Sequence, residues 1–205
     1  MPQWTWPDKA HEAVSSFETR HAHPDAGALL MWAMSCVRSL HYLDDLDRAY
    51  DASNAVAGGH APDVVDVAHA RWATGTCVTA LDLCGAGLGR ALCGHNSGQE
   101  LDLGDFKRKE ECPKNVRLRA ALPPACLQWC ESVFSDADYQ LVRNARNWLT
   151  HSRLTRHFTL KANGPPQRLT LELKSKRIGV RELVERARDV STKHVALLVA
   201  LLPKL

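Results

Sequence analysis

The string Arg146-Asn147-Trp148-Leu149-Thr150-His151 sets an arginine, a polar neighbour and a histidine at a spacing that can do phosphoryl-transfer chemistry. An imidazole titrates near neutrality, at about 6.5 when unperturbed, so it can exchange a proton with a ribose hydroxyl or a leaving oxygen. A guanidinium stays charged and offers paired planar donors, which suits a pentacoordinate phosphate carrying extra negative charge. Asn147 can orient the imidazole or donate to phosphate. On a helix, Asn147 and His151 lie one turn apart on one face, with Arg143 a turn earlier and Arg146 flanking the stripe. Taken singly, a histidine donating to a carboxylate and an arginine in a surface ion pair are ordinary structural roles. The combination is what points to chemistry.

The combination is also specific. With 17 arginines and ten histidines, an arginine followed after four to six intervening residues by a histidine is expected about two or three times by chance, and it occurs three times, at Arg90/His95, Arg146/His151 and Arg188/His194. The tighter string, with asparagine directly after arginine and histidine at the fifth position, is expected only on the order of 0.02 times at this composition. A zinc site from Cys84, Cys93, His95 and Cys112 is conceivable by ligand type, but no cysteine pair is spaced CxxC and the set matches no zinc pattern. Seven cysteines in a chain without a secretory address read as reduced thiols. Cys36, Cys77, Cys84 and Cys126 sit in apolar stretches, where cysteine acts as a small hydrophobe.

The Arg146–His151 string resembles the RNxxxH signature of the HEPN superfamily, small all-helical domains many of which are RNA-cutting toxins or defence nucleases. The resemblance implies an antiparallel helical bundle with the motif on a late core helix. It implies Arg146, Asn147 and His151 as catalytic residues and the RNA's own 2′-hydroxyl as nucleophile, so that no metal or cofactor is required and the products are a 2′,3′-cyclic phosphate and a 5′-hydroxyl. One helix supplies one histidine. The resemblance answers that shortage with a homodimer whose motif helices meet across a two-fold axis. Arg143 and Thr150 would then line the groove with Asn147 and His151, while Arg153, Arg156, Lys174, Lys176 and Arg177 would hold flanking phosphates by charge. An antitoxin or other regulatory protein is the implied restraint.

The elements that must position these residues are mostly helical. At 205 residues, 45% hydrophobic and 24% charged, the chain has the balance of one globular domain over 1–205, and no apolar run reaches the roughly 18 residues of a membrane span. The amino terminus lacks a basic segment followed by an apolar one, so the cytoplasm is the expected location. Helical periodicity marks about Pro24 to Asn54 and about Pro62 to Leu92, joined by Ala57-Gly58-Gly59 and therefore antiparallel. The glycines of LCGAGLGRALCG read as fraying and a C-terminal cap rather than a phosphate loop. A long polar loop is expected around 95–124, with at most a short helical turn. A short helix over Pro124 to Phe134 follows, then the motif helix with Ser135 as its N-cap. HFTLK and LTLELK on either side of Asn163-Gly164-Pro165-Pro166 read as a β-hairpin around 157–174, and a final helix runs from about Val180 to Leu202.

Charge is divided unevenly along the chain. Residues 1–106 hold 6 Lys/Arg against 14 Asp/Glu, a net of −8, and residues 107–205 hold 20 against 9, a net of +11. The halves either neutralise each other within one fold or a dimer, or they present a basic patch to a polyanion. Three readings follow: a metal-independent endoribonuclease of toxin or defence type, a HEPN-like module that binds RNA or nucleotide without cutting, and a helical assembly scaffold.

Overall fold

A computed structural model describes residues 5–56, 64–93, 101–151, 170–173 and 176–205. Seven helices pack against one another: α1 (Asp8–His21), α2 (Pro24–Val56), α3 (Val64–Leu92), α4 (Pro113–Ala121), α5 (Pro124–Ser135), α6 (Ala137–His151) and α7 (Val180–Leu201). A two-stranded antiparallel sheet, β1 (Thr170–Leu173) and β2 (Lys176–Gly179), precedes α7. The expected mainly α bundle with a small hairpin before the last helix is therefore the architecture. Among the described residues, no helix is long and apolar enough to cross a membrane.

The periodic apolar residues are the ones buried. Leu30, Ala33, Met34, Val37, Leu40 and Leu43 of α2 face Ala73, Cys77, Ala80, Leu81 and Cys84 of α3 across a dry seam. Gly87 lies against Ala26 and Leu30 while His69 meets Asp47, so the two long helices run antiparallel. Helix α7 buries Leu183, Val184, Ala187, Val190, Val195 and Leu198 across both. Its arginines meet the aspartates of α2. Arg181 donates to Asp44 at 2.5 Å and to Asp47 at 3.2 Å, and Arg188 pairs with Asp44. These contacts pair Asp44 and Asp47 of the acidic half with Arg181 and Arg188 of the basic half inside the fold.

Three details differ from the sequence expectation. Helix α1 was not anticipated, although Ala10, Ala13, Val14 and Phe17 bury a helical stripe. Helix α3 does not fray at its glycines but continues to Leu92. The polar segment from residue 101 onward contains a 3-10 turn (Leu103–Phe106) and α4, anchored by buried Leu101, Leu103, Phe106 and Leu118. In the two-stranded sheet before α7, Leu171 pairs with Ile178 and Leu173 with Lys176, so TLEL partners KRIG; HFTLK and the Asn163–Pro166 turn of the expected hairpin lie outside the described residues.

Glycines explain the seating of the 3-10 turn. A Cβ on Gly85 would stand 2.7 Å from Leu103 Cα, and one on Gly89 would stand 2.6 Å from Leu101 Cδ1. The glycine-rich stretch of α3 therefore serves close backbone approach of the 101–106 segment, not helix termination.

Candidate active site between α3 and α6

Helix α6 is pinned at its start by Asp136. Its carboxylate accepts from the backbone N–H of Asp138 and Tyr139 at 2.9 and 3.1 Å, and from Lys193 and His194 of α7 at 2.8 and 3.0 Å. Asp136, not Ser135, is the N-cap; Ser135 ends α5, and its hydroxyl donates to the Ser132 carbonyl. Burial works against the ionised carboxyl of Asp136, but those four donors outweigh it and hold the group well below the ordinary carboxylate range. Tyr139, Val142, Ala145 and Leu149 are buried along the inner face of α6. Arg71 of α3 donates to the Leu149 carbonyl at 3.1 Å near the far end, so α6 runs antiparallel to α3.

The motif runs along the flank of this face, beside α3. Arg146, Asn147 and Thr150 are exposed and Arg143 is half-buried. Arg146 Nη1 donates to Asn147 Oδ1 at 3.2 Å, and the Thr150 hydroxyl donates to the Arg146 carbonyl at 2.8 Å. Arg143, Arg146 and Asn147 line one cavity of about 170 Å³ together with Asp82 of α3, Asp102 and Tyr139. Arg146 also walls a second cavity of about 340 Å³, shared with Arg71, Thr74, Gly75 and Thr150. His151 closes α6, and its side chain lies outside the described residues.

Sequence reasoning missed Asp82, Asp102 and Tyr139. Burial raises the Asp82 carboxyl most and the neighbouring Asp102 charge adds to it. The Leu103 N–H, Arg143 and Arg146 pull the other way, leaving it at about 6. Burial, with Asp82 nearby, pushes the Tyr139 phenol up as well. The available signals were an aspartate inside an otherwise apolar run, Leu81-Asp82-Leu83, and the capping pattern Asp102-Leu-Gly-Asp105. Asp105 N–H donates to Asp102 Oδ1 at 3.1 Å, and Asp102 N–H donates to Asp105 Oδ2 at 3.2 Å. This reciprocal box fixes the turn that carries Asp102 to the cavity.

The remaining expected contacts are dispersed. Arg153, Arg156 and Lys174 lie outside the described residues, as does the side chain of Lys176. Arg177 is exposed and borders a separate cavity with Ala137, Asp138 and Leu141, at the start of α6. At 1.5 Å per residue, that places it about 7–14 Å along the helix from Arg146 and about 14–20 Å from Thr150.

The two looser Arg/His spacings have structural partners. Arg188 pairs with Asp44 and Asp189, buried His194 meets Asp136, and Arg90 donates to Asp25 at 2.9 Å, while His95 lies outside the described residues. All seven cysteines are free thiols. Burial pushes Cys93 and Cys126 up to about 11 and Cys130 to about 12, so these are hydrophobic fillers rather than nucleophiles. Among the described residues, no three His, Cys, Asp or Glu side chains gather as metal ligands. Comparison with protein-family models, with curated proteins and with solved structures returns no match for this chain.

Proposed function

We propose that the protein is a metal-independent, HEPN-type endoribonuclease of the toxin or defence class, acting in the cytoplasm as a homodimer and restrained by an antitoxin or similar protein. The observation that supports it most is the convergence of Arg143, Arg146 and Asn147 on one cavity of about 170 Å³. Two guanidiniums and a carboxamide form a donor set for phosphate oxygens. The volume is below the roughly 300–1,000 Å³ of a site that engulfs a small molecule. It suits one phosphate of a longer chain, whose neighbouring nucleotides run along the α3/α6 groove past Arg71 and Thr150.

In this reading Arg146 holds the scissile phosphate and stabilises the charge that builds in the transition state. His151 moves a proton, and Asn147, already bonded to Arg146, keeps the guanidinium in place. The exposed Arg146, Asn147 and Thr150 face leaves α6 free to meet its twin in a second copy. A non-cutting RNA- or nucleotide-binding module is the second reading, with the same Arg143, Arg146 and Asn147 donors holding phosphate without cleavage.

The test is cleavage of RNA by purified protein in EDTA. Arg146→Ala and His151→Ala are expected to reduce cutting by at least a hundredfold, and an unchanged rate in both overturns the assignment. Salt-dependent binding without product favours the second reading.

A further inference from the structure

We propose that Asp82 is a second proton-transfer group of this site, acting from α3 on the same phosphodiester that Arg143 and Arg146 hold from α6. The inference rests on the ribonuclease reading above and supplies, from the same chain, a second proton-transfer group besides the histidines that a dimer would bring together. Asp82 shares the small cavity with both arginines and Asn147. It is also on the wall of the larger cavity beyond, so it stands where the two spaces join.

The fold builds this placement by design of the backbone. Gly85, less than one turn further along α3, admits the Leu103 backbone, which brings the Leu103 N–H near enough to the Asp82 carboxylate to favour its ionised form. The Asp102/Asp105 capping box then holds a second carboxylate beside it. Two carboxylates facing two guanidiniums leave the cavity near neutral before a ligand arrives. A phosphate therefore meets attraction from Arg143 and Arg146 that offsets the repulsion of the acids.

The charged and titratable groups around Asp82 come from every packed element. Asp102 and Asp105 approach from the 3-10 turn, Lys114 from α4, and Tyr139, Arg143 and Arg146 from α6. Along α3 itself stand Cys77, whose buried thiol stays protonated, and Arg90. Within this set Asp82 titrates at about 6, close to the working range of a proton-transfer group. A side chain that served only as an ion-pair partner of two arginines would be held low instead.

The step balances. The ionised Asp82 carboxylate takes the proton of the ribose 2′-hydroxyl as the 2′-oxygen forms its bond to phosphorus. The bond from phosphorus to the 5′-oxygen breaks, and that oxygen takes its electron pair and a proton from the His151 imidazolium. Solvent then removes the proton from Asp82 and returns one to His151.

The experiment is the pH profile of RNA cleavage in EDTA for the wild-type chain, Asp82→Asn and Asp82→Glu, with melting curves for each. The wild type is expected to show an acidic limb with a midpoint near pH 6. Asp82→Asn is expected to fold, to lose about 10²- to 10⁴-fold in kcat with little change in KM, and to lose that limb. Asp82→Glu, which keeps a carboxylate, is expected to recover part of the rate and a limb. Cutting by Asp82→Asn at the wild-type rate, with the limb intact, overturns the role of Asp82 alone. A wild-type chain that cuts no RNA overturns the ribonuclease reading and this role with it.

Discussion

Replacing Asp82 with asparagine is expected to stabilise the fold at alkaline pH while disabling the site. The carboxyl is raised from its ordinary 3.8 to about 6 because burial and the Asp102 charge outweigh the Leu103 N–H and the two arginines. Between these values the native state binds more protons at this site than the unfolded chain. Stability therefore falls as pH rises from about 4 to 6, and the full penalty persists above that range. Two units at 1.36 kcal/mol each set a ceiling of about 3 kcal/mol, and partial solvent contact reduces this to about 1–2 kcal/mol. Asparagine has the same shape, keeps an oxygen for the Leu103 N–H and carries no charge to desolvate. Urea unfolding at pH 8 should place Asp82→Asn about 1–2 kcal/mol above the wild type, and the gap should close near pH 4. A variant that is equally stable at every pH, or less stable at pH 8, refutes the electrostatic reasoning. Stabilisation on removal of a polar group is what a functional site held at a cost to stability produces.

Two further perturbations test how the site is positioned. Gly85→Ala forces a Cβ to within 2.7 Å of the Leu103 backbone and should cost about 1–3 kcal/mol in thermal unfolding, whereas Gly75→Ala, whose Cβ meets nothing within 4 Å, should gain about 0.5–1 kcal/mol. Asp136→Ala removes the α6 cap and strands the buried His194 ring, so a loss of about 2–4 kcal/mol is expected in denaturant titration. Because the Asp136 carboxyl is depressed in the native state, its contribution is full above about pH 4 and is lost as pH falls below that, and Asp136→Ala should flatten this part of the acid profile.

The helices were legible because burial follows periodicity. Leu29 to Leu43, Val65 to Leu81 and Leu183 to Leu202 announce α2, α3 and α7 without any tertiary information. The motif face was legible for the same reason: once α6 is a helix with Val142, Ala145 and Leu149 inward, Asn147 turns away from the core and Arg146 lies on the edge of the inward face. The acidic side of the cavity was not. Asp82 and Asp102 are twenty residues apart and meet only because Gly85 lets one backbone lie on another, a tertiary fact that no local pattern encodes. Gly85 and Gly89 illustrate the same limit, since a glycine that ends a helix and a glycine that seats a crossing segment look alike in one dimension. Strand β2 was not legible because Lys176-Arg177 reads as a charge run, although it leads into buried Ile178 in a strand opposite Leu171.

The most direct measurement is end-group analysis of RNA incubated with the purified protein in EDTA. The account predicts fragments ending in a 2′,3′-cyclic phosphate and beginning with a 5′-hydroxyl, formed by the wild type and not by Arg146→Ala. Fragments with a 3′-hydroxyl and a 5′-phosphate, or intact RNA after prolonged incubation, would contradict it.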